Sequence, residues 1–139
     1  MLTVAIASDH AGFRMKEIVK QHLARRGYRV RDFGARSEAS VDYPVFAEKA
    51  ARFAAKNGAP AVLVCGSGIG MSIAANKIRG VRAALVHTTT SARLSRRHND
   101  ANVLALAGRF TTPDRARKIV DAWMATPFEG GRHDRRVQQ

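Results

Sequence analysis

The chain has 139 residues, a length that suits one domain with a single core and no need of disulfides or metals. Its 24 lysines and arginines against 11 aspartates and glutamates give a net charge of +13, and aromatic residues make up only 6%. The basic residues are spread along the chain and there are few rings for base stacking. This composition therefore favours a phosphorylated metabolite over nucleic acid as the partner.

The amino-terminal stretch has no basic segment, and its apolar run is broken by Asp9 and His10. It is therefore not typical of a signal peptide. No later run approaches the ~20 apolar residues of a membrane span. The only cysteine, Cys65, permits no internal disulfide and fits a reducing compartment. These features predict a cytoplasmic protein with no membrane partner.

Apolar strand patterns alternate five times with helical patterns. In the first helical pattern Val19 and Leu23 share an apolar face, while Lys16 and Lys20 fall on a polar face. In the second, Val45 belongs to the predicted packing stripe with Phe46, Ala50 and Phe53. The predicted strands are Leu2–Ala7, Tyr28–Phe33, Ala61–Val64, Val81–Val86 and Asn102–Ala107, and the predicted helices are Ala11–Arg26, Tyr43–Asn57, one that Gly80 closes, Thr88–Arg97 and one that begins at Pro113.

Short connections between alternating strands and helices specify a parallel sheet with helices on both faces. We predict an α/β fold, a three-layer α/β/α sandwich with a five-stranded parallel Rossmann-like sheet, with Tyr28–Phe33 near one edge of the sheet. Residues 1–139 form one domain, in which residues 128–139 are a basic carboxyl-terminal tail.

The sharpest feature is the segment from Cys65 to Gly70, which follows the third strand pattern and opens a helix. The glycines at 66, 68 and 70 let backbone N–H groups approach a ligand closely, and a helix amino terminus stabilises a thiolate. Cys65 is either a buried strand-end residue or a reactive thiol. The turn binds a phosphate or a developing oxyanion, or is merely a tight turn, and it lacks the G-x-G-x-x-G spacing of a dinucleotide loop.

Ligands of such sheets bind beyond the carboxyl ends of the strands. Asp9 and His10 follow the first strand, as an acid/base pair or as a turn with a helix cap. We expect them to share a crevice with Cys65 and with the polar trio His98 to Asp100 by the fifth strand. The histidine of that trio is either a proton shuttle or a solvated helix end.

Three arginines could each bind a phosphate through two parallel hydrogen bonds: Arg109, Arg132 and Arg136. The histidines at 22, 87 and 133 have no partner at metal-ligand spacing. We therefore expect no metal site.

Taken together, five motifs resemble the type B ribose-5-phosphate isomerase family, which includes galactose-6-phosphate and allose-6-phosphate isomerases. The resemblance runs from Val4 to Val137. The motifs are Ser8 to Gly12, Asp42 to Pro44, Cys65 to Lys77, His98 to Leu104 and Gly130 to His133.

The resemblance implies an aldose–ketose isomerase that works through an enediolate without a metal or organic cofactor. Ribose 5-phosphate is the first substrate expected, with allose 6-phosphate, galactose 6-phosphate or a tetrose phosphate as alternatives. It also implies that Cys65 is the base at C2, that Ser67 assists the proton between O1 and O2, and that His98 with Asp9 opens the sugar ring. The implied binding residues are His10, Tyr43, Gly66, Gly68, Ile69, Gly70, Asn99, Arg109, Arg132 and Arg136.

One branch of the family has a glutamate base early in the helix where this chain has Met71, so the resemblance is to the cysteine branch. It further implies a homodimer, or a tetramer, whose sites combine residues of two subunits. His98 and the tail arginines could then serve the partner's Cys65, with the tail packing on the partner subunit. The tail ends soon after Arg136, earlier than in many relatives.

Overall fold

A computed structural model describes residues 2–139. Within these residues five strands alternate with five helices and a sixth helix follows, and all the strand pairs are parallel, in the order β2-β1-β3-β5-β4. The elements are β1 Thr3–Ser8, α1 Phe13–Arg25, β2 Arg29–Asp32, α2 Tyr43–Asn57, β3 Ala61–Cys65, α3 Ile69–Asn76, β4 Ala83–Leu85, α4 Thr89–Asn99, β5 Val103–Ala107, α5 Pro113–Ala125 and α6 His133–Gln138.

The predicted α/β fold with a five-stranded parallel sheet is confirmed, and β2 lies at an edge as predicted. Each central strand divides its side chains between two clusters, because successive side chains of a strand point to opposite faces. Val4 and Ile6 join the cluster beneath α1, α4 and α5, whereas Ala5 and Ala7 join the one beneath α2 and α3. Helices therefore cover both faces of the sheet. In residues 2–139 no helix combines the length and apolarity needed to span a membrane.

Helix α2 has the predicted bounds, and three of the four residues of the predicted packing stripe pack as expected: Ala50 is buried, and Phe46 and Phe53 lie against the core. Val45 is 49% exposed, and the buried face is a row of alanines. Small side chains allow the helix to lie close to the alanines of β1, while Phe46 and Phe53 pack at the margin of the cluster. The predicted stripe includes Ala50 but not Ala47, Ala51 and Ala54, because small apolar residues give a weaker hydrophobic pattern than large ones.

The helical pattern predicts that Lys16 lies on the polar face of α1, but its side chain is only 1% exposed. Its ammonium group is enclosed by acceptors from the end of β2 and the loop that follows. These acceptors come from another element, so helical periodicity alone could not reveal them.

The carboxyl-terminal tail contains a helix that was not predicted, α6, and it packs against α4 of its own chain. Arg82 Nη1 donates to the carbonyl of Val137 at 3.2 Å, and the N–H of Glu129 donates to the carbonyl of Arg97 at 3.1 Å. His133 is 7% exposed and buried in this contact. Packing of the tail on a partner subunit stays a prediction.

Candidate active site

Cys65 ends β3 and lies 5% exposed at the base of the glycine turn. Its Sγ atom accepts a hydrogen bond from the backbone N–H of Gly68 at 3.1 Å. Gly68 has φ of +77°, a conformation that disfavours other residues, and it directs this N–H back toward the thiol at the start of α3. A thiolate formed here would therefore be stabilised by a fixed amide dipole.

The pairing of β1 with β3 brings Asp9 beside this thiol. Ser8 is in register with Val64, and the N–H of Asp9 donates to the carbonyl of Val64 at 3.2 Å, so that Asp9 and Cys65 follow at neighbouring positions. One carboxylate oxygen of Asp9 accepts the N–H of Gly12 at 2.9 Å, which orients the side chain. The predicted proximity of the two loops is confirmed.

Two further predicted residues lie over the glycine turn. A Cβ atom added to Gly66 would come within 3.1 Å of Nη1 of Arg109, and one added to Gly70 within 2.8 Å of the ring of Tyr43. The glycines therefore leave space that a guanidinium group and a phenol ring approach from two sides. The N–H of Arg109 also donates to the carbonyl of Gly66 at 3.0 Å, which joins the turn after β5 to the cup.

Ser67 and Ile69 lie in the same turn, where Ser67 Oγ accepts the N–H of Ile69 at 3.2 Å. His10 follows Asp9, and its Nδ1 atom accepts the N–H of Val41 at 3.2 Å. His10 also lines a cavity of about 520 Å³ that extends between the start of α1 and the turn after β5. We call these residues the thiol cluster: Asp9, His10, Tyr43, Cys65 to Gly70 and Arg109.

His98 and Asn99 do not lie in this cluster, and the expectation that they share a crevice with Cys65 of their own chain is wrong. They form the last turn of α4, just before β5 begins at Val103. Val103 is in register with Ala61, and Ala107 is in register with Cys65. The start of β5 therefore lies one strand length (~13 Å) from the level of Cys65. In a parallel sheet, residues that precede a strand lie at the amino-terminal ends of the strands, and residues that follow a strand lie at the carboxyl ends.

The remaining predicted residues lie near His98, at the amino-terminal ends of the strands. Its ring stacks on the ring of His133, with centroids 4.4 Å apart and planes inclined by 19°. Arg132 immediately precedes α6, and Arg136 lies one turn further along the helix. We call His98, Asn99, Arg132, His133 and Arg136 the histidine cluster.

Burial lowers the pKa of His133, and the positive charges of His98, Arg132 and Arg136 lower it further, against the opposing effect of Glu129. The His133 Nε2 atom is buried and has no hydrogen-bond partner. A neutral imidazole is therefore favoured beside a cationic surface.

The nitrogen atoms of His98 and His133 and the carboxylate of Glu129 lie within 4.8 Å of one another, a proximity that sequence spacing missed. The two rings are nearly parallel, so their in-plane lone pairs run side by side and do not converge on one point. This geometry fits ring stacking better than metal ligation.

The fold and the thiol cluster define a class of protein: a doubly wound α/β protein with a buried thiol and polar side chains at the carboxyl ends of its central strands. The sequence profile described as Ribose/Galactose Isomerase matches residues 4–139. The chain belongs to that family.

The similarity extends over nearly the whole chain. Ribose-5-phosphate isomerase B of Escherichia coli strain K12 is 44% identical over 139 residues, which cover 99% of this chain and 93% of the relative. A ribose 5-phosphate isomerase structure from Thermotoga maritima is 51% identical, with a TM-score of 0.96 and coverage of 99% and 95%. A ribose-5-phosphate isomerase B structure from Mycoplasma genitalium, with bound ribulose-5-phosphate, is 44% identical, with a TM-score of 0.95 and coverage of 99% and 92%.

Proposed function

We propose that this protein interconverts ribose 5-phosphate and ribulose 5-phosphate through an enediolate, with Cys65 as the base. The observation that carries the proposal is the buried thiol, held by the N–H of Gly68 at 3.1 Å, in a chain similar over its full length to ribose-5-phosphate isomerases. A proton next to a carbonyl group becomes removable only where a base lies beside donors that stabilise the new oxyanion. The thiol cluster supplies both.

In the proposed reaction the Cys65 thiolate removes the proton at C2 and returns it to C1. The amides of the turn from Gly66 to Gly70 hold the developing enediolate oxygen, except those of Gly68 and Ile69, which donate to the thiol and to Ser67 Oγ. Ser67 moves the proton between O1 and O2. The sugar phosphate enters as the ring form, which Asp9 opens together with His98 from a second copy of the chain.

Phosphate binding is assigned to three arginines and His10, which are divided between the two clusters. His10 and Arg109 come from the same side as the thiol, whereas Arg132 and Arg136 belong to the histidine cluster. Asn99 contacts the sugar, and Tyr43 lines the pocket above Gly70 and Ile69. The net charge of +13 attracts a phosphorylated substrate toward all of these groups.

We infer that a second copy of the chain completes each site, because the two clusters lie at opposite ends of the strands of one sheet. Near the thiol cluster, α3 exposes Ile69 (53%) and Ile73 (57%), and the turn after β5 exposes Phe110 (74%). Exposed apolar side chains of this size are typical of a surface that another subunit covers. A homodimer is the simplest assembly that brings the partner's histidine cluster to the thiol, and a cytoplasmic location suits a free thiol.

A turnover panel tests the function. Ribose 5-phosphate, allose 6-phosphate, galactose 6-phosphate and a tetrose phosphate are compared by kcat/KM, and we expect ribose 5-phosphate to rank first. A higher kcat/KM for one of the other sugars would reassign the substrate within the family. No turnover of any of them, together with tight and salt-sensitive binding of DNA or RNA, would contradict the isomerase.

A further inference from the structure

The ammonium group of Lys16 is enclosed at the root of the loop between β2 and α2. Its Nζ atom donates to the two carboxylate oxygens of Asp32 at 2.9 and 2.8 Å and to the carbonyl of Ala35 at 2.6 Å. Hydrogen bonds from Lys16, the Gly34 N–H and Lys20 lower the pKa of Asp32, against the opposing effect of its burial. A buried cation with this set of acceptors fixes the positions of both residues that it joins.

The segment held by Lys16 continues the ladder between β1 and β2 as far as the first site residue. The N–H of Ser8 donates to the carbonyl of Gly34 at 2.7 Å, and the N–H of Ala35 donates to the carbonyl of Ser8 at 2.8 Å. Ser8 immediately precedes Asp9. Lys16 therefore holds the root of the 34–42 loop against the end of β1.

The far end of the same loop touches His10. The backbone N–H of Val41 can only donate, so the Nδ1 atom of His10, 3.2 Å away, must be the acceptor. In the neutral imidazole the proton then lies on Nε2. Glu38, in the middle of the loop, pairs with Arg14 on α1 and holds the loop along the same helix as Lys16.

We propose that Lys16 is a positioning residue, which fixes the 34–42 loop so that the N–H of Val41 holds His10 as the Nε2–H tautomer. His10 then presents an N–H donor to a phosphate or sugar oxygen without having to carry a charge. The last step rests on the proposed function, whereas the effect of Lys16 on the tautomer does not.

Lys16→Met keeps the length and apolar stem of the side chain and removes the ammonium group. The matched control is Lys20→Met, because Lys20 also donates to Asp32, at 3.0 Å, but is 39% exposed. Asp32→Asn is a second variant that weakens the same anchor from the other side, and it decides the question if Lys16→Met does not fold.

The first measurement is the nitrogen NMR spectrum of His10 above the pH at which its ring is protonated, with a His10→Gln spectrum to assign the signal. We expect one Nε2–H tautomer in the wild type and in Lys20→Met, and a mixture of both tautomers in Lys16→Met and Asp32→Asn. Folded Lys16→Met and Asp32→Asn variants with the wild-type tautomer would overturn the proposal.

The second measurement is the kinetics of ribose 5-phosphate isomerisation. We expect KM to rise roughly tenfold in Lys16→Met and Asp32→Asn with a smaller change in kcat, since uniform binding is what a misplaced donor weakens. Wild-type KM values in both variants would also overturn the proposal. If the wild type isomerises no sugar phosphate, the proposed function fails, while the NMR spectrum still decides whether Lys16 sets the tautomer.

Discussion

At the scale of single residues, the thiol of Cys65 carries the proposed chemistry. Replacing it with alanine removes the base but neither the glycine turn nor Arg109. We expect Cys65→Ala to lower kcat by roughly 10²–10⁴-fold, the usual contribution of a general base, while binding of ribose 5-phosphate weakens little. Exchange of the C2 proton with deuterium from solvent measures the step directly.

Cys65→Ser is the sharper companion variant, because it keeps a hydrogen-bonding side chain of similar shape. A serine hydroxyl is too weak an acid to supply an anion, so this variant should be almost as slow as Cys65→Ala. Wild-type proton exchange in either variant would show that another group is the base.

Gly70 provides a second prediction at this scale. An added Cβ would come within 2.8 Å of the Tyr43 ring, so Gly70→Ala must displace that ring. We expect KM to rise roughly tenfold, as misplacement of a binding group by a fraction of an ångström can cause. The control is a double-variant cycle: on a Tyr43→Ala background the added methyl group should have little further effect. An equal effect on both backgrounds would contradict the proposed contact.

The residues of the thiol cluster could be predicted from the sequence, because their positions relative to the strands determine where they lie in a parallel sheet. Cys65 and its glycines are contiguous, and Asp9 ends a strand that a parallel sheet places near β3. The prediction for Lys16 is wrong, because its burial depends on Asp32 and Ala35, which periodicity within α1 cannot show. Tertiary acceptors decide whether a lysine is solvated.

At the scale of secondary structure elements, the stacked rings of His98 and His133 join α6 to α4. The pKa of His133 is lowered in the fold, so the unfolded chain binds more protons as the pH falls through the ordinary range of histidine. The contribution of His133 to stability is therefore complete above that range and is lost on acidification. We expect the Tm to fall between pH 7 and pH 5.

The comparison that isolates this effect is His133→Phe against His87→Gln. His133→Phe keeps a ring for stacking but cannot be protonated, so its Tm should depend less on pH over this range. His87 is exposed, and its replacement should leave the pH dependence as in the wild type. An unchanged pH dependence in His133→Phe would mean that other groups control the acid sensitivity.

Element boundaries also explain why His98 was expected in the wrong place. Its position near the fifth strand was correct, but α4 extends to Asn99 and delivers the histidine before β5, not after it. The rule that ligands bind beyond the carboxyl ends of strands therefore excludes His98 from the thiol cluster of its own chain. The sequence motif identifies His98, and the topology determines at which end of the strands it lies.

At the scale of the whole molecule, the sheet separates two groups of residues that one reaction is proposed to use. The thiol cluster follows β1, β3 and β5, whereas the histidine cluster lies where α4 and α6 meet. A two-fold symmetric dimer can bring each thiol to the partner's histidine cluster, and it then contains two identical shared sites. The pattern of strands and helices in one sequence gives no direct sign of such an interface, and in the structure its sign is the exposure of Ile69, Ile73 and Phe110.

Mixing two inactive variants tests this central claim most directly. Cys65→Ala and His98→Asn are each expected to be nearly inactive alone. After they are unfolded and refolded together in equal amounts, half of the dimers are mixed, and each mixed dimer has one intact shared site. We predict recovery of about 25% of wild-type kcat for ribose 5-phosphate. A mixture that forms mixed dimers and stays inactive would contradict the shared site.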